Sequence, residues 1–298
     1  MIAPDAVPAE VLAAFGVSGS VPVRLPGGEG RTWRAGQVVL KPAGSVVAGR
    51  WCAEVCDALA GPGFLVPRPV RAASGDWVAR GWTASRWVAG TAADWSGVSP
   101  CWPGLIAASR ALHAALADFP APAWRAGVED PWTIGDRVAW GERDPGPLLE
   151  PLLDRRLGPG PGRAGGQLAR QAGGQLAAQV RRLLAALAPV GLPDQLIHAD
   201  LTGNVLFADP MPPAVIDFSP LYRPAGWALA IVAVDALQWH QADPGVLGLL
   251  ADEPQLDQLL ARALIFRQIS EVVGGGGLER AARTGQPVAD LILARLGQ

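Results

Sequence analysis

The pattern of apolar and polar positions changes its period once along the chain. At first it is short and strand-like: Val21–Leu25 and Gln37–Lys41 are β-branched runs, and the turn-rich segment Pro26-Gly27-Gly28-Glu29-Gly30 precedes the second of them. This predicts strand, glycine turn and strand, the last ending on Lys41. Val46–Leu59 switches to helical spacing through Val47, Trp51, Val55 and Leu59, which sets Glu54 on a neighbouring face. Beyond the break Gly61-Pro62-Gly63, the runs Pro67–Ala72 and Trp77–Val88 read as further strands. The first 88 residues thus predict a small sheet with one helix.

From about Ala89 the period becomes helical. Leu105, Ala108, Leu112 and Leu116 recur within Leu105–Asp118, and Leu168, Ala172, Leu176, Val180, Leu183 and Leu187 within Gln167–Leu187. Gln255–Val273 predicts a helix that ends at Gly274–Gly277, and Pro287–Leu296 a terminal one. Between the helical blocks, Gly141–Gly166 is dense in Pro and Gly and predicts an irregular insertion. The apolar run Trp227–Val234 stops at Asp235, far short of the roughly 20 residues that span a bilayer. Met1–Gly16 has no basic residue and no sustained apolar run, so no targeting segment is expected. The organisation expected is α+β, with an N-terminal lobe over residues 1–88 and a larger, mainly helical lobe over 89–298.

Charge narrows the function classes. With 25 basic and 27 acidic side chains the net charge is −2, which gives nucleic acid or an anionic membrane nothing to attract it. Three cysteines in no zinc-like spacing, beside three histidines, imply a reduced, cytoplasmic compartment. One bias points to chemistry: Lys41 is the only lysine in a chain rich in arginine, and Asn204 is the only asparagine. A compact ammonium against a phosphate and a neutral amide on a metal are roles that Arg, Asp and Ser do not fill equally.

The second of these rare residues lies in Leu196-Ile197-His198-Ala199-Asp200-Leu201-Thr202-Gly203-Asn204-Val205-Leu206-Phe207, followed by Ala214-Val215-Ile216-Asp217-Phe218. A His-x-Asp loop here leads through Asn to a strand, a turn and a strand that ends on Asp. Phosphoryl transfer needs a carboxylate for the attacking hydroxyl, hard oxygen ligands for magnesium and a cation on the nucleotide phosphates. Asp200, the pair Asn204 and Asp217, and Lys41 supply those parts. His198 reads as a residue that orients the loop through hydrogen bonds, and His113 and His240 as packing residues.

In these segments the chain resembles the aminoglycoside phosphotransferases and choline-kinase-type enzymes, and within them an actinobacterial branch. His198-Ala199-Asp200 matches their catalytic loop, Asn204 and Asp217 their metal ligands, and Val38-Val39-Leu40-Lys41 the strand with the phosphate-anchoring lysine. Leu112-His113 matches a pair on their first large-lobe helix. The resemblance implies a bilobal protein-kinase-like fold: a small N-terminal β-sheet lobe with one helix and a larger, mainly helical C-terminal lobe. It also implies ATP with Mg2+, a small-molecule hydroxyl acceptor, Glu54 as the ion-pair partner of Lys41, Gly27, Gly28 and Gly30 around the phosphates, and a hinge at Arg86–Gly90 in which Trp87 and Val88 meet the base. Asn204 and Asp217 should then face one cavity, with Lys41 pointing into it.

Two departures shape the expectation. The loop from Asp200 to Asn204 is one residue shorter than the family's, and Arg223-Pro224-Ala225-Gly226-Trp227-Ala228 keeps a proline but not the acidic residues usual there. Poor activity on highly cationic aminoglycosides is therefore expected, unless Glu129, Asp130, Asp136, Glu142 and Asp144 restore the charge. Trp132, Trp140, Trp227 and Trp239 read as core residues or as the lining of a substrate pocket. The alternative function is a nucleotide-binding pseudokinase that serves as a regulatory or interaction module; adenylyl transfer on the same fold is a third. The acceptor's identity, the choice between ATP and GTP and the oligomeric state stay open at this level.

Overall fold

The structure is a computed structural model that describes residues 6–26, 30–93, 101–153 and 163–297. Its N-terminal part is an antiparallel sheet of order β1-β2-β3-β5-β4, built from β1 (Val23–Arg24), β2 (Trp33–Ala35), β3 (Val38–Pro42), β4 (Val78–Ala79) and β5 (Trp82–Arg86). Strand alternation gives the sheet two unlike faces. One carries Trp33, Ala35, Val38, Leu40, Trp82 and Ala84, buried against Val7, Val11 and Phe15 of helix α1 (Ala9–Ala14) and its flanks. The other carries Val39 and Lys41, whose partners across the ladder are Ser85 and Thr83, with Arg34 on the far side of Val39.

Helix α2 (Val46–Ala58) starts at Ser45, whose hydroxyl accepts from the Ala48 N–H at 3.4 Å. It packs on the lysine-bearing face. A Cβ at Gly49 would stand 3.1 Å from Val78 Cγ2 and 3.2 Å from Thr83 Cγ2, so a side chain there would press those methyl groups aside. The Trp77–Val88 run is a hairpin, not one strand, because Arg80 and Gly81 both take positive φ and turn the chain. Pro67–Ala72 runs beside β5 without becoming a named strand: Val70 N–H donates to Ala84 O at 2.8 Å and Arg86 N–H to Arg68 O at 2.7 Å.

The chain resolves into two compact units. The first joins Met1–Ala93 to Cys101–Trp124 and Gln195–Tyr222, and so adds to the sheet helix α3 (Cys101–Leu116), strand β6 (Thr91–Ala92) and strands β7 (Gln195–His198), β8 (Val205–Ala208), β9 (Met211–Val215) and most of β10 (Pro220–Arg223). Strands β6, β8 and β9 form one small sheet, and β7 pairs with β10. The chain crosses from β5 to β6 pressed against β8: Gly90 has φ 145°, and a Cβ there would lie 2.9 Å from Leu206 Cβ. Leu65, beyond α2, exchanges hydrogen bonds with β9, accepting from Val215 N–H at 2.7 Å and donating to Pro213 O at 2.9 Å.

The second unit is helical: α4 (Pro131–Ala139), α5 (Gly146–Leu153), α6 (Arg163–Ala185), α7 (Ala225–Trp239), α8 (Leu256–Gly274) and α9 (Leu278–Arg295). Helix α7 is apolar nearly all round and almost wholly buried, as such a sequence requires. Helices α4 and α8 cross closely at Gly135, where a Cβ would lie 2.5 Å from Ser270 Oγ and 2.7 Å from Phe266 O. Two expectations change. The stretch expected to be irregular contains α5 and the start of α6, and the terminal helix begins nine residues before Pro287, with that proline inside it. Among the described residues no helix is long and apolar enough to cross a membrane.

Candidate active site

Asp217 leaves β9 in the left-handed region, φ 53°, a conformation that aspartate tolerates better than most residues and that recurs at functional sites. The neighbouring Ile216 N–H donates to Asn204 O at 2.9 Å, which fastens the Asp217 segment to the loop after Asp200. Asn204 in turn donates its Nδ2 to Asp200 O at 2.7 Å and to Asp200 Oδ2 at 3.3 Å, so its amide is oriented and its Oδ1 is left as an acceptor. Lys41, distant in sequence, places its ammonium on Asp217 Oδ1. The chain's only lysine and only asparagine thus meet the two aspartates within one unit.

Glu54 stands apart from this group. Lys41 is paired with Asp217, and Glu54 is exposed on α2 close to Arg50, whose charge it supports. The reason lies in helix geometry: Gly49 and Ala53, four residues apart, face the sheet side, and Glu54 is turned about 100° from Ala53. Gly30 has φ 66°, and Leu25 N–H donates to Thr32 O at 2.9 Å to close the turn between β1 and β2. Gly27 and Gly28 lie outside the described residues. At the end of β5 the Trp87 N–H donates to Gln37 O at 2.9 Å.

A pair of buried histidines aligns the loop. A backbone N–H can only donate, so His198 Nδ1 accepts from Asp200 N–H at 3.2 Å, and its protonated Nε2 donates to Ile216 O at 3.1 Å. The His198 N–H donates to His113 Nε2 at 3.1 Å, and His113 Nδ1 donates to Ser109 O at 2.8 Å. One chain of hydrogen bonds therefore runs from α3 through the His-x-Asp loop to the residue before Asp217. His113, read from the sequence as packing, is part of it; the signal was its spacing of four from Ser109 on the buried face of α3.

Burial, with His198 adding to it, pushes His113 down to about 3, and burial holds His198 below the ordinary histidine value. Both are neutral at pH 7. The unfolded chain binds protons near 6.5 while native His113 refuses them until about 3, so unfolding takes up protons across that window and stability falls as pH drops through it. Acidification to about pH 5 should remove about 2 kcal/mol through His113 alone. Urea unfolding near neutral pH and at about pH 5 checks this: the His113→Gln variant should be less stable near neutral pH but lose less on acidification. An equal loss in both proteins would contradict the assignment.

In the second unit the acidic residues considered for a cationic substrate are already engaged. Arg223 lies between Asp136, at 2.8 and 2.9 Å, and Glu142, at 2.6 and 2.9 Å. Glu129 binds Arg137 and Arg143; Asp130 caps α4 by accepting from Thr133 N–H at 2.6 Å, and Asp144 accepts from Gly146 N–H at 2.9 Å. Of the tryptophans, Trp227 is buried and packs edge-on against Trp140 and Phe266, while Arg267 lies over Trp239 and over Trp132, which is exposed.

Comparison with known proteins gives the arrangement its context. The chain matches the crystal structure of an aminoglycoside phosphotransferase from Alicyclobacillus acidocaldarius subsp. acidocaldarius DSM 446 with a TM-score of 0.57 at 15% identity, over 100% of this chain and 98% of that one. It matches a spectinomycin phosphotransferase solved with ADP and spectinomycin with a TM-score of 0.57 at 12% identity, over 96% of each chain. A second aminoglycoside phosphotransferase gives 0.56 at 16% identity, over 94% of each. These likenesses show the bilobal protein-kinase-like fold. A search of curated protein sequences finds no match. The family model described as the phosphotransferase enzyme family matches residues 25–223, more than half of the chain and inclusive of Lys41, Asp200, Asn204 and Asp217, and the chain belongs to that family as a small-molecule phosphotransferase.

Proposed function

We propose that the protein moves the γ-phosphoryl group of Mg·ATP onto a hydroxyl of a small molecule in the cytoplasm, with residues 1–88 serving the nucleotide and 89–298 the chemistry and the acceptor. The observation that carries the reading is the meeting of Lys41 with Asp217 beside the Asn204 and Asp200 pair. Asp200 orients the acceptor hydroxyl and takes its proton, held for that task by Asn204 on its carboxylate and by His198 on its N–H. Lys41 exchanges Asp217 for the α and β phosphates when nucleotide enters.

The donor set suits magnesium. Among the described residues no three His, Cys, Asp or Glu gather as a closed metal cage. One carboxylate and one amide oxygen, Asp217 and Asn204, are what a cation needs when phosphate oxygens and water complete its shell. Bound there, the metal would neutralise charge on the phosphate oxygens. Asp217→Ala should weaken Mg·ATP binding and turnover together. Lys41→Arg keeps the charge but replaces a compact ammonium by a broad fork, and should lose at least about tenfold in kcat/KM. Isothermal titration and steady-state kinetics test both; unchanged nucleotide affinity in Asp217→Ala would remove the metal assignment.

The pairing of Asp136, Glu142, Glu129 and Asp130 with arginines supports an acceptor that is neutral or carries a single positive charge. On a panel of hydroxylated compounds, kcat/KM should be higher for neutral sugars and small alcohols than for polycationic aminoglycosides. Kanamycin-like compounds as the best substrates would contradict this.

A further inference from the structure

We propose that Arg34 sets the choice of nucleotide base and lets this enzyme use GTP as well as ATP, a reading that rests on the nucleotide role assigned to Lys41. The ladder pairs Val23 with Arg34, Arg34 with Val39, and Val39 with Ser85. Residues directly opposite in an antiparallel sheet share a face. Arg34 therefore lies on the face that carries Lys41, one side-chain row toward the end of β5. At that end its guanidinium covers the Trp87 ring at 4.2 Å from the centroid.

The fork is held in place from a second direction, because Arg34 Nε donates to Gly36 O at 2.9 Å across the two-residue turn between β2 and β3. Gly36 adopts φ 59°, which makes that turn accessible to glycine and brings its carbonyl to the Nε. Among the described residues, the Nη groups then remain as donors with no protein acceptor. A cation that stabilises only a ring face would not need them.

Purine edges differ in what such donors meet. Guanine presents O6 and N7, two acceptors that an arginine fork bridges, whereas adenine places an amino donor beside N7. The backbone beyond β5 is impartial: Arg86 C=O and Val88 N–H offer an acceptor and a donor on one edge of the strand, Trp87 N–H being spent on Gln37 O and Arg86 N–H on Arg68 O. That pair alone accommodates adenine. Arg34 adds what guanine requires, so it is a specificity residue for the nucleotide and not a catalytic residue.

Calorimetric titration of ADP and GDP into the full chain, with the corresponding triphosphate kinetics, tests this. The unmodified protein should bind GDP within about tenfold of ADP. Arg34→Met, which keeps the apolar stem over Trp87, should weaken GDP by about tenfold or more and ADP by less than about threefold. Arg34→Lys, which keeps charge without the fork, should show the same selective loss, and retained ADP binding shows that either variant is folded. Equal effects on GDP and ADP in both variants, or none, would overturn the proposal while leaving the phosphotransferase reading intact. Failure of the unmodified protein to bind either nucleotide would overturn both.

Discussion

Asp200→Asn should lower kcat by about a thousandfold while ADP affinity changes by less than about threefold. The substitution keeps the shape of the side chain and its contact with Asn204, and leaves Lys41, Asp217 and the backbone bond from Asp200 N–H to His198 untouched. What it removes is the carboxylate that receives the hydroxyl proton. Because the change falls on a group engaged in the transition state and not in nucleotide occupancy, the loss should appear at saturating ATP and acceptor. Steady-state kinetics with parallel titration of ADP separates the two. A variant that binds ADP poorly and turns over normally once saturated would mean that Asp200 holds nucleotide.

The largest effect on stability is expected at Asp235. Its carboxylate receives Arg267 Nε at 2.8 Å and Nη2 at 2.6 Å, and the two side chains are 0% and 1% exposed, α7 against α8. Trp239 and Phe266 cover the guanidinium at 4.9 and 5.3 Å. Asp235→Ala leaves that cation buried without its counter-charge, which should cost about 3–5 kcal/mol. The double replacement Asp235→Leu with Arg267→Met should recover a large part of the loss, since the penalty belongs to the orphaned charge more than to the missing bond. Urea unfolding of the three proteins measures it; a single-variant loss below about 1 kcal/mol would show that water or another group reaches Arg267.

How far the fold was legible follows from where the period of the pattern was clean. The strand to Lys41, α2, α3 and α8 came from local periodicity alone. Helix α1 did not, because its short run is meaningful only against the buried face of Trp33, Leu40 and Trp82, which lie later in the chain. The early start of α9 was hidden for a related reason: its buried face there is Ala281, Ala282 and Gly285, small residues that carry little hydrophobic signal. Gly285 is small because Gln268 Nε2 would lie 2.5 Å from a Cβ there. The Trp77–Val88 run concealed a turn, since Arg80 gives no cue that it adopts φ 53°.

The site was legible to a different degree. Rarity singled out Lys41 and Asn204, and the structure brings both to Asp217 and Asp200. The partner of Lys41 was not readable, because helix phase and not sequence distance decides that Glu54 faces outward. Nor was the bond from His198 N–H to His113, which joins positions 85 apart in the chain, nor the pairing of Asp136 and Glu142 with Arg223, 87 and 81 residues away. Such tertiary pairings leave no periodic trace.

The most direct test of the central claim is product analysis after incubation with Mg·ATP and a panel of hydroxylated compounds, by mass spectrometry of both nucleotide and acceptor. The account predicts ADP in equal amount with an acceptor heavier by one phosphoryl group, lost in the Asp200→Asn protein. An adenylylated acceptor, or ATP bound without any product across neutral, singly charged and polycationic acceptors, would contradict it.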